Sequence, residues 1–216
     1  WDKPTEKHIF GFTLEGFYTK LKNAFVLEET GTDENGNSEM LKINGGNSQV
    51  MGTTIEMRAN YNRKLQAEAG LTLQKSYYDE PVAWSVELPG ETDYLRTPES
   101  YGYYTLTFTP GDKFKAALSG IYTGSMLIPH YGVPGNVGTP ENDILVKSSD
   151  FWETNLKLSY TFTAPRLDSS VEIFAGAGNI FNQYQNDFDS GKYRDSGYIY
   201  GPSEPRKIYF GIKIFN

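Results

Sequence analysis

The sequence has no cysteine, only two histidines, and no uninterrupted apolar run long enough to cross a bilayer as a helix. The absence of cysteine excludes disulfide bonds, zinc–thiolate sites and a thiol nucleophile. The lack of a long apolar run excludes a transmembrane helix. Basic residues are fewer than acidic ones. The chain has 20 Lys and Arg and 27 Asp and Glu, which gives a net charge of −7. A nucleic-acid-binding module needs a basic face, so this balance argues against nucleic acid as a partner.

A two-residue alternation of apolar and polar side chains is the main feature that is present. Residues 65–74 read Leu-Gln-Ala-Glu-Ala-Gly-Leu-Thr-Leu-Gln, with an apolar residue at every odd position. A strand points successive side chains to opposite faces, and about ten residues cross a bilayer as a tilted strand. The pattern recurs along the chain. It predicts strands at residues 9–27, 49–61, 65–78, 101–109, 113–125, 151–162, 170–181 and 207–215.

The connectors between these predicted strands alternate between short and long. Residues 62–64 and 110–112 form tight turns and residues 163–169 a short link, all rich in turn-forming residues. The long polar connectors are residues 28–48, 79–100, 126–150 and 182–206. Short turns at one edge and long loops at the other are typical of an outer-membrane barrel. The fold class predicted is therefore all-β: an antiparallel, up-and-down transmembrane β-barrel with about eight strands.

The polar face decides which way the apolar face points. A lipocalin-like barrel also alternates, and a β-sandwich places aromatic residues in its core and rim. Here charged residues lie near the middle of the polar face, at Glu56, Arg58, Glu68, Lys115 and Lys157. Aromatic residues that we place toward the strand ends of the apolar face are Tyr61, Tyr77, Tyr104, Phe108, Tyr122, Tyr160 and Phe162. This arrangement favours apolar side chains in lipid, with girdles at both interfaces, and charged side chains in the lumen, where they can pair across strands.

Several stretches resemble a known family. The strongest are Gly-Asn-Ile-Phe-Asn-Gln-Tyr-Gln at 178–185, Gly-Lys-Tyr-Arg-Asp-Ser-Gly-Tyr-Ile-Tyr-Gly-Pro at 191–202, Pro-Arg at 205–206 and Gly-Ile-Lys at 211–213. They resemble the C-terminal end of TonB-dependent outer-membrane receptors. Their sequence looks most like that of receptors from Bacteroidetes-type bacteria. Residues 15–21, 95–98 and 122–131 resemble that group more loosely.

The resemblance implies a receptor in which an N-terminal plug fills a 22-stranded barrel in the outer membrane of a Gram-negative cell. Such a receptor binds a scarce nutrient (a siderophore, haem, cobalamin or a glycan) and imports it with energy relayed by TonB. Residues 1–216 match the last third of that barrel, with no plug domain, and the usual terminal aromatic residue is replaced by Phe215-Asn216. We therefore expect a barrel fragment without a leader, unable by itself to perform gated transport. Its partners would be outer-membrane lipid, the plug, TonB and the nutrient.

Catalytic chemistry has little support in the sequence, and neither an enzyme nor a resident cofactor is predicted. His8 and His130 lie far apart, and no nucleophile–base pair is suggested. The acidic cluster of Asp187, Asp189 and Asp195 begins like a calcium loop but has no glutamate at the closing position. An ion pair between Arg194 and Asp195 that orders the loop, with Arg206 nearby, is the preferred interpretation.

Ligand contacts are expected from aromatic side chains at the external end of the barrel, because such rings stack on sugars, haem and aromatic chelates. The candidates are Trp84, Tyr94, Tyr101, His130 and Tyr131. His130 has two interpretations, as a ligand of haem or a metal chelate and as a loop-packing residue. An alternative function is a self-standing small outer-membrane barrel with a structural or adhesive role. The two edge strands, at residues 9–27 and 207–215, should pair with each other or with a second copy, since a bare edge in lipid is costly.

Overall fold

The computed structural model describes residues 1–5, 7–32, 38–85, 88–135, 139–165 and 168–215. Within these residues the fold is all-β, with no helix long and apolar enough to cross a membrane. The strands are β1 (Asp2–Pro4), β2 (His8–Leu21), β3 (Phe25–Thr32), β4 (Ser38–Asn44), β5 (Ser48–Tyr61), β6 (Leu65–Val82), β7 (Glu91–Asp93), β8 (Ser100–Phe108), β9 (Phe114–Thr123), β10 (Leu127–His130), β11 (Ile144–Lys147), β12 (Phe151–Ala164), β13 (Ser169–Gly178) and β14 (Lys207–Phe215).

One large antiparallel sheet contains most of the strands, in the order β1-β2-β5-β6-β8-β9-β12-β13-β14, with the short β7 beside β6. Each long strand pairs with the long strand that follows it in the chain, which is an up-and-down arrangement. The prediction of about eight long strands is confirmed. The remaining strands form two separate hairpins, β3–β4 and β10–β11, inside the long connectors.

Two predicted strand ends are wrong for the same physical reason. The first predicted strand, residues 9–27, ends at Leu21, and residues 25–32 belong to the β3–β4 hairpin instead. Asn23 between them has a φ of 54°, in the left-handed region that breaks an extended strand. The predicted strand at residues 170–181 ends at Gly178, because Asn179 has a φ of 47°. Asparagine tolerates this conformation better than most residues, so both positions are natural strand ends.

The alternation of connectors is confirmed by the sheet. Residues 62–64, 109–113 and 165–168 join neighbouring strands at one edge, and Asn62 and Arg63 both have positive φ, as a tight hairpin turn requires. At the opposite edge lie four long loops. They are L1 (residues 22–47, containing β3 and β4), L2 (residues 83–99, containing β7), L3 (residues 124–150, containing β10 and β11) and L4 (residues 179–206).

The strand register places apolar side chains in continuous rows on one face of the sheet. One row crosses eight strands and contains only apolar residues: Phe10, Ala59, Ala67, Leu106, Leu118, Leu156, Ala177 and Ile208. The next row along the strands lies on the opposite face and contains Gly11, Arg58, Glu68, Thr105, Ser119 and Asn155. A one-residue slip in any strand would break both rows, so the pattern fixes the register.

The apolar face is open and does not enclose a dry interior. Leu71 and Phe210 are 43% and 87% exposed, and the polar-face residues Glu68 and Lys157 are exposed as well. A soluble sandwich or lipocalin would bury the apolar face. An outward-facing apolar surface over a polar inner surface is what a membrane barrel requires.

The side-chain positions on the two faces can be compared with the predicted aromatic girdle and the predicted charge pairs. Tyr122 packs on Trp152 near the long-loop edge, with ring centroids 4.5 Å apart. The placement of Tyr104 at a strand end is wrong, because it lies in the middle of β8. On the polar face, Lys157 pairs with Glu172 on the next strand at 3.6 Å, as predicted for cross-strand charges.

Three other charged residues of the polar face, Arg58, Glu56 and Glu68, have partners other than a charged residue on the neighbouring long strand. Arg58 pairs with Asp2 of β1, with an Nη2–Oδ1 distance of 2.6 Å. Glu56 and Glu68 both accept hydrogen bonds from the Tyr103 hydroxyl, at 3.1 and 3.2 Å. The polar face is therefore connected by a tyrosine as well as by ion pairs.

The two edges of the sheet lie at opposite ends of the strand order. β1 covers part of β2, and β14 bonds to β13 alone in the described part of the chain. The predicted pairing of the two edges with each other is therefore not seen, since no ladder joins β14 to β1 or β2 among the described strands. Pairing with a second copy stays a prediction.

Candidate ligand-binding loops

The long loops L2, L3 and L4 form one packed assembly, which we call the loop assembly. Its centre is a buried cluster of Met126 and Ile128 from L3 with Tyr198 from L4, and Ile128 has no exposed surface. The β10–β11 hairpin of L3 holds this cluster through four paired positions, from Leu127↔Lys147 to His130↔Ile144. Buried hydrophobic residues are scarce elsewhere in the described chain, so the loops contain the main apolar core.

His130 lies between L3 and L4. Its ring stacks on Tyr198 with centroids 3.6 Å apart and planes 6° from parallel, and its Nε2 lies 2.9 Å from Asp189 Oδ1. The residue is 8% exposed. These contacts match the loop-packing interpretation of His130, because its ring is buried between the two loops and is held by both Tyr198 and Asp189.

The three acidic residues of L4 accept hydrogen bonds from protein groups. Asp187 accepts from the Tyr198 and Tyr200 hydroxyls at 3.0 and 2.8 Å. Asp189 accepts from the Asp195 backbone N–H at 2.9 Å, and Asp195 accepts from the Tyr131 and Gly197 N–H groups. No group of three or more His, Asp and Glu side chains within the described ranges is placed to hold a metal ion. The cluster orders the loops.

The predicted ion pair between Arg194 and Asp195 is wrong. Arg194 donates to the carbonyl of Gly191, at 3.4 Å, while both oxygens of Asp195 accept backbone N–H groups. A carboxylate that accepts two backbone hydrogen bonds is satisfied locally and does not need the neighbouring guanidinium.

The hydrogen bonds at Asp187 shift the pKa values of the groups that make them. Burial by itself raises the pKa of Asp187, but hydrogen bonds from Tyr200, Tyr198 and Gln185 outweigh it and lower the pKa below the ordinary value. Burial, with the neighbouring Asp187, raises the pKa of Tyr198 to about 12. The pKa of Tyr200 is also raised, for the same reasons. Both phenols therefore remain protonated donors at neutral pH.

Two amide side chains that sequence reasoning missed anchor L4. Gln185 is 1% exposed, donates from Nε2 to the Tyr198 carbonyl at 3.0 Å, and accepts at Oε1 from the Tyr200 N–H at 2.8 Å. Asn179 donates from Nδ2 to the carbonyls of Gln183 and Glu204. Both lie in the stretch at 178–185 that carries the family resemblance. That resemblance was the feature of the sequence that could have identified them as structural residues.

The predicted ligand-contacting residues fall into two groups. Trp84, Tyr94, His130 and Tyr131 lie in the loop assembly, where Tyr131 Oη approaches the Trp84 carbonyl at 3.4 Å. Tyr94 packs on Tyr78 with ring centroids 4.5 Å apart. Tyr101 is separate, because it belongs to β8 and pairs with Thr72 and Thr123 of the neighbouring strands. Their roles in binding a ligand stay a prediction.

Residues 94–99 of L2 leave the sheet and, with Asp93 of β7, enclose a cavity against β6. Tyr94 N–H donates to the Ser76 carbonyl and Gln74 N–H to the Glu99 carbonyl, so the segment between them bulges outward. Arg96 at the bulge has a φ of 57°, and its Nη1 donates to the Ile199 carbonyl of L4 at 3.0 Å. The cavity below the bulge has a volume of about 190 Å³.

Comparison with solved structures supports the barrel architecture. The chain is similar to the ferric-catecholate import receptor Fiu of Escherichia coli K12 (22% identity, TM-score 0.61, covering 97% of this chain and 25% of Fiu). It is also similar to the ferripyoverdine receptor of the Pseudomonas aeruginosa outer membrane (14% identity, TM-score 0.65, 96% and 26% coverage). A third is the FrpB iron transporter of Neisseria meningitidis (13% identity, TM-score 0.54, 98% and 29% coverage).

No protein-family model and no curated protein sequence matches the chain. The chain spans only about a quarter of the length of the structures it resembles. The similarity therefore shows that these residues share the fold of a quarter-length portion of such receptors, namely their antiparallel barrel wall.

Proposed function

We propose that the chain is part of the barrel wall of a TonB-dependent outer-membrane receptor that takes up a scarce nutrient. The nutrient is bound at the loop assembly and passes through the barrel without chemical transformation. The plug domain and TonB act as partners in the full protein, which we place in the outer membrane of a Gram-negative cell. The resemblance of the sequence to Bacteroidetes receptors gives its proposed origin.

The observation that carries the proposal is the apolar row that crosses eight strands from Phe10 to Ile208. The side chains of this row are exposed or half-buried. In a soluble protein such a row would be buried, because each Å² of apolar area removed from water stabilises the fold by about 25 cal/mol. A bilayer covers this face without any further protein. The structural similarity to outer-membrane receptors agrees with this placement.

A matched pair of arginine substitutions tests the membrane placement. Leu118 and Ser119 are neighbours near the middle of β9 but belong to opposite faces. In the full-length receptor we expect Leu118→Arg to lower the folded amount in the outer-membrane fraction, because arginine at the lipid-facing midplane costs about 2–4 kcal/mol. Ser119→Arg should fold nearly normally, since its side chain enters the polar lumen.

The readout is heat-modifiable migration of the receptor in isolated outer membranes. Equal loss of folded protein in both variants, or a loss only for Ser119→Arg, would contradict the outward-facing apolar surface. Import is tested separately, by growth on a limiting nutrient with and without a functional TonB.

The alternative of a self-standing eight-stranded barrel receives no support from the described strands. Closure of eight strands requires a ladder between β14 and the first long strand, β2, and these two strands lie at opposite ends of the sheet order. An enzyme is likewise unsupported, and the similar solved structures are receptors and transporters.

A further inference from the structure

The apolar face of the sheet contains a groove, which we call the outer groove. Its floor consists of Ala59 on β5 and of Ala67 and Ala69 on β6. Larger side chains form its two walls, which are Phe10, Phe12 and Met57 on one side and Tyr104, Leu106 and Leu118 on the other. The groove has a volume of about 580 Å³, within the range of roughly 300–1,000 Å³ of pockets that bind small molecules. The apolar face is therefore not uniform, and one place on it can hold a ligand.

Tyr104 keeps the outer groove open. Its ring lies over Gly120 on β9, and its hydroxyl is 2.5 Å from Thr154 Oγ1. The ring therefore leans away from Ala69, its register partner on β6. Ala69 is exposed, although it lies between the large side chains of Met57 and Tyr104. The contact with Thr154 thus holds one wall of the groove in place.

The corner of the short-turn edge beside the outer groove is rich in basic residues. Residues 3–8 and 62–64 contain one acidic residue, Glu6, and four basic ones, which are Lys3, Lys7, Arg63 and Lys64. The Lys7 carbonyl accepts a hydrogen bond from the Asn62 N–H at 2.8 Å, so Lys7 lies beside the β5–β6 turn. Lys3 pairs with Phe10, which puts it on the apolar face itself. This corner has the opposite sign to the whole chain, whose net charge is −7.

Two stacked rings lie between the basic corner and the outer groove. His8 and Tyr61 are register partners at the turn end of β2 and β5, and their ring centroids are 4.9 Å apart. The His8 ring also stacks on Phe10, a wall of the groove, at 6.1 Å. Aromatic rings at strand ends lie at the headgroup level of a bilayer. The groove therefore lies at the depth of the acyl chains, and the basic corner lies at the depth of the phosphates.

An apolar groove next to cationic groups matches a molecule that has an acyl chain and an anionic head. Each Lys or Arg close to a membrane surface favours anionic lipid, and the planar guanidinium of Arg63 is suited to phosphate. We propose that the outer groove binds one anionic phospholipid, with an acyl chain over Ala67 and Ala69 and its head at Arg63 and Lys64. The inference rests on the proposed function, which places the short-turn edge at the periplasmic side, and it distinguishes one lipid from the surrounding bilayer.

The test uses the full-length receptor in detergent, titrated with phosphatidylglycerol as the anionic probe and with phosphatidylethanolamine of the same acyl chains as the zwitterionic probe. Native mass spectrometry resolves the first bound lipid and measures its affinity. We expect phosphatidylglycerol to bind about tenfold more tightly. The double variant Arg63→Gln/Lys64→Gln should weaken its binding about fivefold for each charge lost, with little effect on phosphatidylethanolamine. The matched control is Lys192→Gln/Arg194→Gln, two exposed residues of L4 at the opposite edge of the sheet.

A second variant tests the groove itself. Ala69→Leu places a larger side chain on its floor and should weaken the binding of both lipids about three- to tenfold, because less of the acyl chain is buried. Ala175→Leu is the control, since Ala175 is an exposed alanine of β13 on the same face but outside the groove. Heat-modifiable migration confirms that each variant is folded before its lipid affinity is compared.

Three results would overturn the lipid site. They are equal or absent binding of the two lipids, a charge variant that behaves like its control, and equal effects of Ala69→Leu and Ala175→Leu. A receptor that folds in the outer membrane and imports a nutrient with TonB, but shows no lipid preference, keeps the proposed function and loses the site. A protein that binds phosphatidylglycerol in the groove but imports nothing with TonB loses the receptor function and keeps the site.

Discussion

Glycine and tyrosine residues act as pairs across neighbouring strands. The Tyr104 ring covers Gly120 on the apolar face, and its hydroxyl reaches Thr154 Oγ1 at 2.5 Å. Tyr103 covers Gly70 in the same way on the polar face. Glycine alone weakens a strand, and a ring packed over it replaces the missing side-chain contacts. Gly70 and Gly120 are therefore sites that a tyrosine fills from the next strand.

This pairing predicts different effects for two glycine-to-alanine changes on the apolar face. A methyl group at Gly120 would collide with the Tyr104 ring, which is held by Thr154, whereas nothing lies near Gly16 of β2. We expect Gly120→Ala to lower the free energy of unfolding of the full receptor by about 1–3 kcal/mol. Gly16→Ala should be neutral or slightly stabilising. Urea unfolding in detergent micelles measures both, and equal effects would show that the ring moves aside freely.

At the scale of elements, L3 and L4 behave as one unit. The His130–Asp189 contact, the Tyr131–Asp195 hydrogen bond and the buried Tyr198 connect them side by side. L1 differs, because its β3–β4 hairpin forms a separate two-stranded sheet. Motion that admits a ligand should therefore open L3 and L4 together.

Removing the His130 ring tests this coupling. We expect His130→Ala to accelerate amide exchange about ten- to a hundredfold in both L3 and L4 of the full receptor, because a stacked, hydrogen-bonded ring is lost from a buried contact. The amide of Tyr131 and the amide of Asp195 report on the two loops. His8→Ala is the matched control, since His8 packs on Tyr61 at the opposite edge of the sheet. Acceleration confined to L3 would show that the loops open separately.

The sequence predicted the sheet far better than the loops. Alternation predicted the two faces of β5, β6, β9, β12 and β14, because an open sheet exposes each of its faces to a single environment. It did not reveal the β3–β4 and β10–β11 hairpins, which lie within the long polar connectors and form sheets of their own. The partners of Asp195 and Gln185 were hidden because the contacting groups lie far away in the chain, in L3 or across L4.

At the scale of the whole molecule, the open sheet edges determine how the chain associates. The long-loop half of β2 and the outer side of β14 present backbone groups that no described strand satisfies. Such edges are costly in lipid and promote pairing with another chain. In the proposed receptor, the remaining barrel strands would cover both edges.

This predicts that residues 1–216 alone self-associate. In detergent we expect the isolated chain to sediment as a dimer or larger species, with β14 amides protected, whereas the full-length receptor sediments as a monomer. Analytical ultracentrifugation combined with amide exchange measures both properties. An isolated monomer with freely exchanging β14 amides would show that the edges tolerate exposure.

In the proposed receptor, the β3–β4 hairpin would lie at the external, long-loop edge of the barrel. Its ladder is internal, from Phe25↔Asn44 outward, and the barrel sheet closes beneath it through Leu21↔Ser48. Substitutions within β3 and β4 therefore leave the barrel register unchanged. In the proposed receptor, sequence changes in this hairpin should therefore be tolerated without loss of the barrel fold.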